Sequence, residues 1–236
     1  MTSSSKLSCI SVLLGVLSAC AGTIPVAYEP QNFVRYEGRA DVGKFTYTPA
    51  QLGKLDPNQI ENTAVGTTIY IGADVAEFVR RATALELEKT GVALTDRSPV
   101  QVSGEVLRFK AGDFGFNIDW TYCVRYKVTR KSDSREVLDA VYKVEKKSGK
   151  SNLASDLTPS VNELILSGYD QFIRDDRTRA VLAASPEALG AITPAVASTP
   201  ARECDARRRL MPAKLTTCDS DMQCKDGGIC YQGACR

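Results

Sequence analysis

Residues 117–130 read NIDWTYCVRYKVTR, and this stretch decides the fold. Ile118, Trp120, Tyr122, Val124, Tyr126 and Val128 alternate with Asp119, Thr121, Cys123, Arg125 and Lys127. Successive side chains of a strand point to opposite faces, so this two-residue period describes a strand with one packed and one wet face. The row Trp120, Tyr122 and Tyr126 has the spacing of a sugar or peptide platform. Large rings at strand spacing on an apolar face are more often core, and they are read as core here.

Two further runs, 100–109 and 136–146, flank this strand through Gly112-Asp113-Phe114-Gly115 and Ser132-Asp133-Ser134. Connections this short join antiparallel neighbours. Upstream, residues 40–47 form a first strand ended by Pro49. Between them lies a helix with strong end signals: Asp74 as cap, Glu77 completing a capping box, Val75, Phe78, Val79, Ala82 and Leu85 on one face, and Gly91 closing it. A second helix begins near Pro159, with Thr158 or Ser160 as cap and Val161, Leu164, Ile165, Phe172 and Ile173 as its apolar stripe. The order strand, helix, three strands, helix predicts an α+β domain over residues 38–180. Its expected form is a two-layer sandwich, with about four mainly antiparallel strands and both helices on one face.

Gly38 to Lys44 has the spacing of a phosphate-binding loop, but Phe45 stands where a Ser or Thr must hold Mg²⁺, and the segment falls on a strand. The nucleotide reading is set aside. The 236 residues carry a formal net charge of +2, which provides no concentrated basic surface for nucleic acid. The chain has no histidine, so it lacks the base of the Ser/His/Asp and Cys/His mechanisms and any imidazole ligand. No cofactor or metal is expected.

The N-terminal leader has Lys6 followed by a short apolar run from Ile10 to Leu17, too brief to span a bilayer, and ends in Leu17-Ser18-Ala19-Cys20. It resembles bacterial lipoprotein export signals, whose lipobox is Leu, two small residues and Cys. The resemblance implies that residues 1–19 are cleaved and that Cys20 takes diacylglycerol on sulfur and becomes the acylated N-terminus. Several buried acyl chains make a stable anchor. Ala21 in place of Asp is similar to the outer-membrane sorting class. An ordinary secretory signal with an incidental Cys20 is the bland alternative, and Cys9 reads as filler in the discarded segment. Residues 20–37, broken by Pro25 and Pro30, are expected to be a lipidated tether.

Val42-Gly43-Lys44-Phe45, the helix entered from Ile71 and closed at Gly91, and the helix from Pro159 to Phe172 together resemble the domain of YajG-type envelope lipoproteins, over roughly residues 38–178. That resemblance implies a binding or assembly role in the envelope and carries over no functional residue.

Residues 181–203, with Pro186, Pro194 and Pro200 among many alanines, read as a semi-extended linker. Residues 204–236 hold Cys204, Cys218, Cys224, Cys230 and Cys235, too dense a set for a hydrophobic core, and read as a disulfide-stapled module. Zinc is disfavoured because there is no Cys-x-x-Cys knuckle and no His. Among the three pairings of the last four cysteines, Cys218 with Cys230 and Cys224 with Cys235 is preferred. Cys123 then has two open fates: a bridge to Cys204, or a free thiol with Cys204 pairing between molecules. Arg207-Arg208-Arg209 reads as a solvated charge run.

The functional expectation is a non-catalytic, lipid-anchored outer-membrane protein, facing either the periplasm or the cell exterior. Its domain would bind a protein, lipid or cell-wall partner in envelope assembly or maintenance. Two rivals are an exported carboxylate enzyme such as a glycan hydrolase, for which Asp175, Asp176, Glu86 and Glu88 look instead like surface charges, and a spacer for a C-terminal recognition module.

Overall fold

The computed structural model describes residues 22–192 apart from Phe33, 64–67 and Asn152, together with Cys204, Cys230, Tyr231, Ala234 and Cys235. Eight strands form the main sheet: β1 Gly22–Ile24, β2 Gly38–Tyr47, β3 Gln59–Asn62, β4 Ile69–Ile71, β5 Val92–Leu94, β6 Val100–Phe114, β7 Asn117–Arg130 and β8 Arg135–Gly149. The helices are α1 Thr48–Gln51, α2 Val75–Thr90, α3 Thr158–Arg174, α4 Asp176–Ala183 and α5 Pro186–Ala191. The class is α+β, but the sheet is larger than the expected four strands and is mixed.

Strands β6, β7 and β8 form the antiparallel meander that the alternation and short turns dictate, with Gly104 opposite Tyr126 and Tyr126 opposite Ala140. The other edge of β6 is shared. Its first half pairs in parallel with β2, as in Thr46↔Glu105, and its far end pairs in parallel with β3, as in Glu61↔Lys110. Strand β4 runs antiparallel to β3, β1 parallel to β4, and β5 parallel to β2. A parallel pair needs a long crossover, here the stretch through α2, and no local periodicity announces it. Four of the strands have only three or four residues, too few to display alternation.

Ile118, Trp120, Tyr122, Val124, Tyr126 and Val128 are all buried beneath α2 and α3, with Tyr126 stacked on Phe172 at 4.3 Å. The aromatic row is core. The hydroxyls of Tyr28, Tyr47, Tyr122, Tyr126, Tyr142 and Tyr169 are pushed above the ordinary phenol range, in each case chiefly by burial.

Helix α2 begins and ends where its signals place it: the Asp74 carboxylate accepts from the Glu77 amide at 2.9 Å, and Gly91 takes the left-handed conformation at φ 94°. Two expectations about it fail. Glu77 does not turn back to close a capping box but grips Arg80 at 2.7 Å. Leu85 is exposed, and Glu86 occupies the buried stripe instead. At ~100° per residue, Glu86 falls near the centre of the face set by Val75, Val79, Ala82 and Thr90, and Leu85 falls off it. In α3, neither Thr158 nor Ser160 caps the helix; the Thr158 hydroxyl donates instead to the carbonyl of Pro25 at 3.3 Å.

Both flanks of the domain differ from expectation. Residues from 22 onward are docked, with Ile24 fully buried against the core. At the other end, the stretch expected to be extended linker from 181 contains the end of α4 and all of α5. Ser185 caps α5, and Leu189 is buried. Pro186 stands in the first turn of α5, where a missing N–H costs nothing.

Gly104 lies where a Cβ would come within 2.2 Å of the Phe45 ring. Gly104→Ala is therefore expected to lower stability by about 1–3 kcal/mol through overpacking, read as an earlier urea midpoint with an unchanged m-value.

Candidate anchoring site

The segment between the expected anchor and the first long strand is fastened to the domain by a series of polar contacts. The Ile24 carbonyl accepts from the Gly72 amide at 2.9 Å. The Ala27 carbonyl accepts from the Asn162 side chain at 2.7 Å. The Tyr36 amide donates to the Thr90 carbonyl at 2.7 Å, and the Arg179 guanidinium lies 5.4 Å from the Tyr36 ring centroid. These contacts bind one extended strip of chain to β4, α2, α3 and α4.

Glu86 is the centre of the arrangement. It is fully buried, and its carboxylate accepts from the Tyr28 hydroxyl at 2.7 Å, the Gln31 amide at 3.0 Å and the Asn32 amide at 3.3 Å. Successive N–H groups turned onto one carboxylate make a compact anion clasp. Asn32 extends it, donating to Asp170 at 3.3 Å and accepting from the Val34 amide at 3.0 Å, an Asx-type turn that sets the local bend. Burial first, and then the hydrogen bond to Glu86, holds the Tyr28 hydroxyl protonated far above its ordinary range. The Tyr28 ring meets Phe78 edge-on at 6.2 Å.

The other carboxylates considered for catalysis do not converge with Glu86. Glu88 is exposed on the far side of α2. Asp175 caps α4 by accepting from the Arg177 amide at 2.9 Å and also accepts from the Tyr142 hydroxyl at 3.1 Å; the Arg177 guanidinium beside it lowers its pKa. Asp176 is exposed and pairs with Arg179. Among the described residues no group of three Cys, Asp or Glu side chains is placed to hold a metal ion, and no helix is long and apolar enough to cross a membrane.

On the opposite face of the sheet, Cys123 is bonded to Cys204, with an S–S distance of 2.04 Å and Cα atoms 5.8 Å apart. Both are buried with Leu107 and Val141, so a small apolar cluster interrupts a face expected to be wet. Around it the face is charged: Arg125 lies 3.3 Å from both Glu105 and Asp139. Cys230–Tyr231 and Ala234–Cys235 form a two-stranded antiparallel ribbon. Cys20, Cys218, Cys224, Arg207, Arg208 and Arg209, and the side chains of Cys230 and Cys235, lie outside the described residues.

No family model matches this chain, and no curated protein matches it. Among solved structures, this chain is similar to protein XCC0632 from Xanthomonas campestris (17% identity, TM-score 0.48, 65% of this chain and 91% of that one). Protein CT253 from Chlamydia trachomatis is 11% identical with a TM-score of 0.45, over 63% of this chain and 99% of that one. Lipoprotein GNA1162 from Neisseria meningitidis is 9% identical with a TM-score of 0.33, over 57% of this chain and 99% of that one. At these identities and TM-scores none of them carries a family or a function over to this chain, and the YajG-type resemblance is not turned into a family assignment.

Two outcomes follow from the clasp. Glu86→Gln keeps the shape but removes the charge, at a cost of about 1.5–3 kcal/mol for charge-assisted bonds; amide exchange at Gln31 and Asn32 should accelerate roughly tenfold to a hundredfold, with protection in β7 retained. The second concerns pH. The buried phenols have folded pKa values above the unfolded value of about 10, so their contribution is complete below pH ~10 and lost as pH rises beyond it. Denaturant midpoints should fall steadily from pH 9.5 to 12, and Tyr28→Phe should reduce the slope of that fall.

Proposed function

We propose that this protein is an envelope lipoprotein, acylated at Cys20 and held close against its membrane. In this reading a non-catalytic α+β domain presents its outer surfaces to a partner in outer-membrane assembly or maintenance. The observation that carries the proposal is the pairing of Leu17-Ser18-Ala19-Cys20 with a clasp that fastens the chain at Tyr28, Gln31 and Asn32. Gly22, the first residue of β1, is two positions from Cys20, a reach of at most about 7 Å for extended chain. A tether of residues 20–37 would let the domain roam; the docking seen from Gly22 onward supports an anchor held close to the domain. Ala21 favours the outer membrane as the destination, and a protein, lipid or cell-wall component is the partner class.

The anchor is tested by metabolic labelling with a radioactive or clickable fatty acid. Wild type should be labelled and partition with membranes, and Cys20→Ala should lose both label and membrane association; equal labelling of the two forms overturns the assignment. Deletion of residues 205–236 leaves the Cys123–Cys204 bridge in place and separates the partner-binding roles of domain and tail. Native-membrane crosslinking should capture the same partner with and without the tail if the domain does the binding.

A further inference from the structure

The register of the sheet shows which end of the domain the anchor leaves from. Gly22 on β1 is level with Ile69 on β4, Ile69 opposes Ile60 on β3, and the next residue of β3, Glu61, pairs with Lys110 on β6. Moving from Thr23 back to Gly22 is moving along β6 toward its C-terminal end. Gly22 therefore lies toward the same end of the sheet as the β6–β7 hairpin tip, where Gly115 at φ 66° makes the turn.

That tip carries the most exposed large apolar side chain among the described residues, Phe116, at 93%. The Lys150 amide donates to the Phe116 carbonyl at 3.3 Å, which ties the end of β8 to the turn. Leu153, 63% exposed, follows shortly after, just before the 3-10 turn Ala154–Leu157 that packs beside β1. Two bare apolar side chains thus stand toward the end of the domain at which Gly22 begins β1, where water has no counterpart to offer them. Exposed Lys147 and Lys150 border them, but Asp119 lies 3.6 Å from Lys147, so the apolar pair rather than charge distinguishes this end.

We infer that the β6–β7 hairpin tip, through Phe116, with Leu153 a few residues past the end of β8, is the surface that seats on the lipid bilayer holding the Cys20 anchor. This rests on the acylation of Cys20. Gly115 lies about six strand residues beyond the level of Gly22, roughly 20 Å at 3.3 Å each, whereas the two residues to Cys20 reach about 7 Å. At the full reach of those two residues the tip projects roughly 13 Å past the thioether, enough to carry the Phe116 ring through the headgroup layer to the acyl boundary where interfacial Phe and Leu side chains rest. The anchor and the tip together would fix the domain's orientation, turning the Cys123–Cys204 face and the α3 face sideways rather than toward the lipid.

The experiment uses full-length acylated protein carrying Phe116→Trp, reconstituted in phosphatidylethanolamine/phosphatidylglycerol vesicles, with the parent as baseline for buried Trp120. The expected result is a blue-shifted emission from the introduced indole, protected from aqueous acrylamide and largely lost when the vesicles contain chain-brominated lipid. Acylated protein whose introduced indole stays fully open to acrylamide overturns the seating and leaves the anchor standing. A mass spectrum without acyl chains on Cys20 overturns the anchor and the seating with it. A blue shift that grows with protein concentration in the vesicle-free Cys20→Ala form assigns the tip to self-association and overturns the lipid contact. Adding Leu153→Ser should lessen bromolipid quenching without altering the far-ultraviolet circular dichroism.

Discussion

A carboxylate buried at the centre of an apolar helix face is a demand that the surrounding structure must satisfy. Glu86 sits where its helix needs a hydrophobic residue, and its charge is tolerable only with hydrogen-bond donors close by. The chain supplies them from the segment around Tyr28, Gln31 and Asn32. Meeting the demand draws the N-terminal strip onto the domain, aligns Ile24 with the core and sets β1 beside β4. A leucine at position 86 would pack well but leave the Tyr28 hydroxyl and the Gln31 and Asn32 amides without their acceptor. One side chain thus gathers three donors from the strip that precedes the first long strand.

The sheet is organised around a second constraint, the double use of β6. One of its edges is saturated by β7; the other is divided between β2 near the start and β3 near the end. A bulge between Val106 and Arg108 lies between those two partners, and it lets Leu107 join Cys123, Val141 and Cys204 on the open face. The same long strand carries its hairpin well past the rest of the sheet. The start of β1 and the projecting tip arise independently, yet both are positioned by the register along β6, so they lie toward one end of the sheet.

The meander was legible in the sequence because its evidence is local: alternation in residues 117–130, short polar turns and unmistakable helix ends at Asp74 and Gly91. The parallel half of the sheet was not. Strands β1, β3, β4 and β5 are too short to alternate, and their pairing is chosen by partners distant in sequence. The clasp was hidden for a related reason: Glu86 looks like one of many charges on a helix, and Tyr28, Gln31 and Asn32 lie in a stretch whose prolines suggest a loose tether. The α5 helix escaped notice because an alanine- and proline-containing run also describes a linker; Ser185 before Pro186 was the one signal that could have revealed it.

What the sequence determined by itself were properties carried by neighbouring residues: one strand with a packed aromatic face, two amphipathic helices, and no histidine for imidazole chemistry. Tertiary structure alone decided what depends on distance through space: the mixed order of the sheet, the burial of Glu86 and its three donors, and the bridge between Cys123 and Cys204. It also decided that Gly22, at the start of β1, lies toward the end of the sheet that carries the Phe116 tip. Local chemistry specifies which elements form. The orientation of a strand beside a partner tens of residues away, and the compensation of a buried charge, are set only when those elements close into one core.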